Sequence, residues 1–108
     1  MRLARVMGKV VLNRRLPEFP VGTLLLCEAL DTEGLKRPDE YVPRAEPMGE
    51  ALVVLDEQGA GEGCLVAVSE GREASMPWWP EHKPVDAYCV AIIDSVDLDE
   101  RYMTEASG

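Results

Sequence analysis

Reactive and aromatic side chains are scarce in this chain. Histidine occurs once and phenylalanine once among 108 residues, and aromatic residues make up 6% of the total. Histidine is the side chain that enzymes recruit most often for proton transfer, so a single imidazole leaves little to build a catalytic centre from. His82 lies in Pro80-Glu81-His82-Lys83-Pro84, a polar segment bounded by prolines, where a solvent-exposed ring is the ordinary outcome. A Cys–His dyad with one of the three thiols has no local signature to support it. With so few aromatics, the core must rest on Val, Leu, Ile and Ala.

Positive charge is also short. Lys and Arg number 11 against 20 Asp and Glu, for a net charge of −9. That field repels nucleic acid and anionic membrane surfaces unless a local basic patch overrides it. The nearest patches, Arg14-Arg15 and Lys36-Arg37, are each followed within a few residues by carboxylates and read as solvated pairs. No CxxC pair occurs, and Cys27, Cys64 and Cys89 are widely spaced within apolar runs. Buried, reduced thiols in a reducing cytoplasm are the plain reading. No apolar stretch approaches the length of a membrane span, and the basic-then-apolar layout of a signal peptide is missing, so a cytosolic protein is expected.

Three local features deserve a functional reading beside the bland one. Gly59-Ala60-Gly61-Glu62-Gly63 lacks the Gly-Lys-Ser/Thr ending of a Walker loop and feeds an apolar strand rather than a helix. It reads instead as a tight connection between adjacent strands, or as a loop packed close to a symmetry axis where bulky side chains do not fit. Asp94, Asp97, Asp99 and Glu100 could bind a hard cation, but EF-hand spacing and its turn glycine are absent, which favours a solvated strand end. Trp78-Trp79, set between two prolines, is either an anchor for a partner or a loop folded over an open end of the fold. No cofactor site, metal site or catalytic constellation emerges.

What the chain does have is short, strand-like apolar runs. Arg2 to Asn13 alternates, with Ala4, Val6, Val10 and Leu12 on one parity and Arg5 and Lys9 on the other. Gly8 falls on the inward parity, where a missing side chain suggests a bulge or a close backbone approach. Thr23 to Leu30, Ala51 to Asp56, Cys64 to Ser69 and Ala87 to Val96 follow as further strands. Between them lie the Leu16–Gly22 loop with two prolines, an Asp31–Gly34 turn, a proline-bearing loop from Leu35 to Glu50, and one possible helical turn over Glu70 to Ser75. Pro77-Trp78-Trp79-Pro80 breaks regularity again, and the polar tail from about residue 97 either forms a short helix or frays. One all-β domain over residues 1–108 is expected: a small, partly open five-stranded barrel of the OB type, with irregular loops and at most short helices.

Lys83-Pro84-Val85-Asp86-Ala87-Tyr88-Cys89-Val90-Ala91-Ile92-Ile93-Asp94 resembles the signature of the EutN/CcmL vertex proteins of carboxysomes and related bacterial microcompartments. Ala4-Arg5-Val6-Met7-Gly8-Lys9-Val10-Val11 is similar to that family's opening, and Gln58 to Val68 to its glycine hairpin. Thr23-Leu24-Leu25-Leu26 matches more loosely, and Gly71-Arg72-Glu73-Ala74-Ser75 departs from the family pattern after the hairpin. The resemblance implies a non-enzymatic homopentamer at the five-fold vertices of a polyhedral shell, beside hexameric tiles, in the cytoplasm. On that reading Arg14, Arg15, Pro84, Val85 and Asp86 contribute to subunit contacts, and Gly59, Ala60 and Gly61 lie near the five-fold axis. The alternative from the residues alone is a stand-alone OB-type module for a small ligand or a protein partner. Its usual ligand, nucleic acid, would need a basic groove with stacking aromatics.

Overall fold

The computed structural model describes residues 1–30, 50–81, 83–97 and 99. The expected Asp31–Gly34 turn, nearly all of the Leu35–Glu50 loop, His82 and most of the tail lie outside the described residues. Among the described residues five strands form: β1 Arg2–Val10, β2 Thr23–Ala29, β3 Ala51–Asp56, β4 Leu65–Glu70 and β5 Ala87–Ile93. One 3-10 helix, Gly71–Trp78, links β4 to β5. The strands close into a barrel in the order β1-β2-β3-β5-β4, so the all-β five-stranded expectation holds, but the barrel is closed rather than partly open. Every pair is antiparallel except β3 with β5, which run parallel and meet at Leu55 and Tyr88.

A five-stranded sheet closes only if its strands bend, and two register breaks serve that end. In β1, Val6 opposes Cys27 and Gly8 opposes Leu26, leaving Met7 as the extra residue. In β5, Cys89 opposes Val68 and Ala91 opposes Ala67, leaving Val90 extra. The bulge expected at Gly8 is therefore present. It also corrects the reading of the strand beyond it, because an inserted residue reverses parity. Val10 opposes Leu24 rather than core Leu25, and the ladder stops there instead of running to Asn13.

Ala4, Val6, Leu25, Cys27, Val54, Val66, Val68 and Cys89 fill the barrel and are fully buried. Each large aliphatic side chain buried this way contributes roughly 1.5–3 kcal/mol. A second, smaller cluster of Leu55, Ala74, Val85 and Tyr88 packs with Phe19, Leu24 and Trp78. Of the thiols expected to be buried, Cys27 and Cys89 are, whereas Cys64 is only half-buried, because it sits in the turn before β4. Arg5, expected to face outward, is buried opposite Glu28 and donates to the Gly63 carbonyl at 2.9 Å. The 3-10 helix runs on through Pro77 to Trp78, past the proline where regularity was expected to end.

Candidate functional site

The glycine segment is not a hairpin. The strands it joins, β3 and β4, are not neighbours, because β5 lies between them. The connection therefore crosses one end of the barrel, and it is held rigidly. The Asp56 carboxylate, 2% exposed, accepts from the backbone N–H groups of Gln58 (2.9 Å), Gly59 (3.0 Å) and Ala60 (2.9 Å). Ala60 drops into the main core cluster. Further on, Gly63 N–H donates to the Val6 carbonyl at 2.8 Å, and Val6 N–H donates to the Cys64 carbonyl at 2.9 Å. Gly59 has φ +89°, a conformation that strains any L side chain. Gly61 has no such constraint, and nothing lies within 4 Å of where its Cβ would be. Of the three residues expected near an axis, Ala60 faces its own barrel, while Gly59 and Gly61 sit where the loop has room outside it.

The loop between β1 and β2 leaves several apolar side chains in water. Val11 is 91% exposed and Leu16 61%, with Leu12 and Val21 also exposed. Arg14 and Arg15 line a groove of about 450 Å³ together with Lys9, Leu12, Phe19 and Leu24. Phe19 anchors this loop in the second cluster, and Val85 anchors the Lys83–Asp86 segment in the same cluster. Arg14-Arg15 and Pro84–Asp86, more than sixty residues apart in sequence, are thus fastened to one packing unit. Val85 is consumed by that packing, so Pro84 and Asp86 are the exposed groups of their segment. The Asp86 carbonyl accepts from Gly71 N–H at 2.8 Å, tying the segment to the start of the 3-10 helix.

The two tryptophans separate. Trp78 packs edge-on against Tyr88, with ring centroids 5.2 Å apart and an interplanar angle of 77°. Trp79 is 61% exposed. The fold-covering role thus falls to Trp78, and only Trp79 is placed for an outside contact. The Tyr88 hydroxyl donates to Glu57 at 2.9 Å, and burial followed by that bond pushes its pKa up. On the barrel surface Arg2 pairs with Glu50 at 3.0 Å. Its guanidinium is also 3.3 Å from Glu70 Oε1, close enough for ion pairing but off the line of a hydrogen bond. Among the described residues no three His, Cys, Asp or Glu side chains converge to hold a metal, and no helix is long and apolar enough to cross a membrane.

Sequence reasoning missed Asp56 altogether. The signal was present: an Asp at a strand end, followed by Gly59-Ala60-Gly61, is the setting in which a carboxylate caps a turn. It also missed that the β1–β2 loop is a pinned, apolar surface, since pinning depends on Phe19 meeting residues from three other elements.

The described residues thus form a closed barrel whose exposed loops carry both apolar and charged side chains. Residues 1–94 match the model of the family described as ethanolamine utilisation protein EutN/carboxysome, and the chain belongs to that EutN/CcmL family. It is 37% identical over 97 residues to the microcompartment shell vertex protein GrpN of Rhodospirillum rubrum, covering 90% of this chain and 97% of GrpN. To the carboxysome shell vertex protein CcmL of Gloeobacter violaceus it is 32% identical over 101 residues, covering 94% of this chain and 90% of that one. Solved structures agree. The Gloeobacter violaceus CcmL structure superposes with a TM-score of 0.73 at 31% identity, covering 92% of this chain and 91% of CcmL. The pentameric microcompartment shell protein GrpN superposes with a TM-score of 0.70 at 30% identity, covering 92% of this chain and all of GrpN.

Proposed function

We propose that this chain is a structural subunit without chemistry of its own, which closes into a homopentamer and caps the vertices of a bacterial microcompartment shell. The observation that carries the proposal is the match, over 90–94% of the chain, to shell vertex proteins, one of which is described as pentameric. That shared role favours it over a stand-alone binding module. The geometry of a shell supplies the physical reason. Hexagonal tiles alone make flat sheets, and closing a sheet into a polyhedron requires pentagons. On this reading the hexameric tiles are the subunit's partners, the shell in the cytoplasm is its location, and residues 1–108 act as one barrel domain with a polar tail.

Arg14, Arg15, Pro84 and Asp86 then contribute one flank of the subunit contact, with Val85 and Phe19 fixing its shape from inside. Gly59 and Gly61 border the central opening. The mass in solution tests the reading first: five chains of 11.9 kDa give about 60 kDa by light scattering on a sizing column. A monomer at micromolar concentration overturns it. Gly61→Trp tests the position of the loop. A Cβ at this position meets nothing within 4 Å in the isolated subunit, and circular dichroism checks that the barrel folds with the indole in place. Five indoles crowded about one axis nevertheless keep the ring from closing, and an undisturbed pentamer removes this loop from the axis.

A further inference from the structure

We propose that the ring contact joins two chemically opposite faces of this chain, and that the face receiving Arg14 and Arg15 is the acidic end of β5 on the next copy, marked by Asp94 and Asp97. This rests on the pentamer reading above and adds the partner surface to it. A closed ring is built from a heterologous contact, so each subunit must carry two different surfaces that complement one another and point away from each other.

Topology supplies the separation. In the closed order β1-β2-β3-β5-β4, β5 is the one strand that neighbours neither β1 nor β2. Because β1 and β5 both run antiparallel to β4, the loop between β1 and β2 and the end of β5 leave the same end of the barrel, on opposite sides of its wall. Both surfaces leave apolar side chains in water. On the loop these are Val11, Leu12 and Leu16, and on β5 they are Val90, 37% exposed, and Ile92, 41% exposed. Val90 is the unpaired residue of the β5 bulge, pushed out of the ladder by the register break.

Charge gives the match its sign. In a chain of net charge −9, residues 11–22 hold two arginines and one carboxylate, Glu18. Residues 90–97 hold two carboxylates, Asp94 and Asp97, both exposed, and no cation. Arginine forks suit carboxylates geometrically, and partial desolvation in a contact strengthens them. The groove beside Arg14 and Arg15, about 450 Å³, has room for side chains of the size of Ile92 and Asp94. Two like faces would instead place arginine against arginine, which disfavours a two-fold dimer of this loop with itself.

The test reads ring mass by light scattering at 0.1 M salt, with circular dichroism as a check on folding. Wild type is expected at about 60 kDa. R14E/R15E and D94R/D97R each place like charges across the contact and fall to the 11.9 kDa monomer. The quadruple variant restores opposite charges in reversed order and regains the ring. A pentameric R14E/R15E, or a quadruple variant that stays monomeric while folded, overturns this pairing and leaves the pentamer standing. A monomeric wild type brings down the vertex reading itself. If a charge-reversed variant fails to fold, R14C/D97C decides the matter. Oxidised in its assembled state, it gives a covalent ladder up to five chains, and the absence of cross-linked chains in an intact ring overturns the pairing.

Discussion

Asp56→Ala is expected to lower the stability of the subunit by about 3–5 kcal/mol, seen as a fall in Tm of roughly 15–30 °C. The side chain is 2% exposed and its two oxygens accept three backbone N–H groups from consecutive residues, Gln58, Gly59 and Ala60. A hydrogen bond to a charged acceptor contributes roughly 1.5–3 kcal/mol, and a buried donor left without a partner costs about 1–3 kcal/mol. The three do not simply add, because Gln58 and Gly59 lie at the surface and water can reach their N–H groups. Ala60 has no such relief, since its N–H and methyl are both inside the barrel. Asp56→Asn keeps one acceptor oxygen and turns the other into a donor facing donors, so it falls between wild type and alanine. Thermal melts at one fixed protein concentration decide the point, because a ring makes Tm depend on concentration. A loss under about 3 °C for the alanine variant would mean that the bonds from Val6 and Arg5 hold the loop unaided.

Strand positions were legible where periodicity and punctuation agreed. β3 runs over Ala51–Asp56 as read, because Asp56 and the glycines after it stop it sharply. β1 was legible up to Gly8 and misread beyond, since alternation carries no information once a bulge inserts a residue. The error over the glycine segment has a different cause. A short glycine-rich link between two strands looks the same whether the strands pair or are parted by a third. Here β5 arrives from thirty residues later in the chain and takes the place between them. Local sequence contains nothing about that choice.

Site residues were legible through family resemblance rather than through chemistry. Arg14 and Arg15 read as one more solvated pair until Phe19 and Val85 are seen in a common cluster that links their loop to Pro84 and Asp86. The exposure of Val90 was hidden because the β5 register break lifts it out of the ladder, and Ile92 is 41% exposed although it opposes core Val66. Trp78 and Trp79, adjacent and alike in sequence, are told apart only by the ring of Tyr88 that holds one of them.

Above pH 9 the subunit is expected to lose stability with a slope set by its two core thiols. Burial, with the Asp56 carboxylate adding to it, pushes the pKa of Cys27 up to about 12, and burial is likewise the main cause of the same rise to about 12 at Cys89. In an unfolded chain both thiols titrate near the ordinary value of about 8.5–9. Below that range both are neutral in either state, and their full contribution to stability is present. Between about pH 9 and 12 the unfolded chain gives up protons that the folded barrel keeps. Unfolding is then favoured by about 1.4 kcal/mol per pH unit for each thiol, or about 2.7 for the pair. Tyr88, whose phenol is also raised, acts in the same direction at higher pH. Urea melts at pH 8, 9.5 and 10.5 measure the slope. C27A/C89A lowers stability at every pH by opening cavities in the main cluster, but it also flattens the slope, and a cavity alone does not do that. Labelling gives an independent reading. At pH 8 a thiol with a pKa of 12 is ionised at about one part in ten thousand, against roughly a quarter for an ordinary one, so alkylation slows about a thousandfold. Half-buried Cys64 reacts first, and Cys27 and Cys89 react only after denaturation. Native-state labelling of either core thiol within tenfold of the rate of free cysteine would show that the barrel opens too readily for burial to hold those protons.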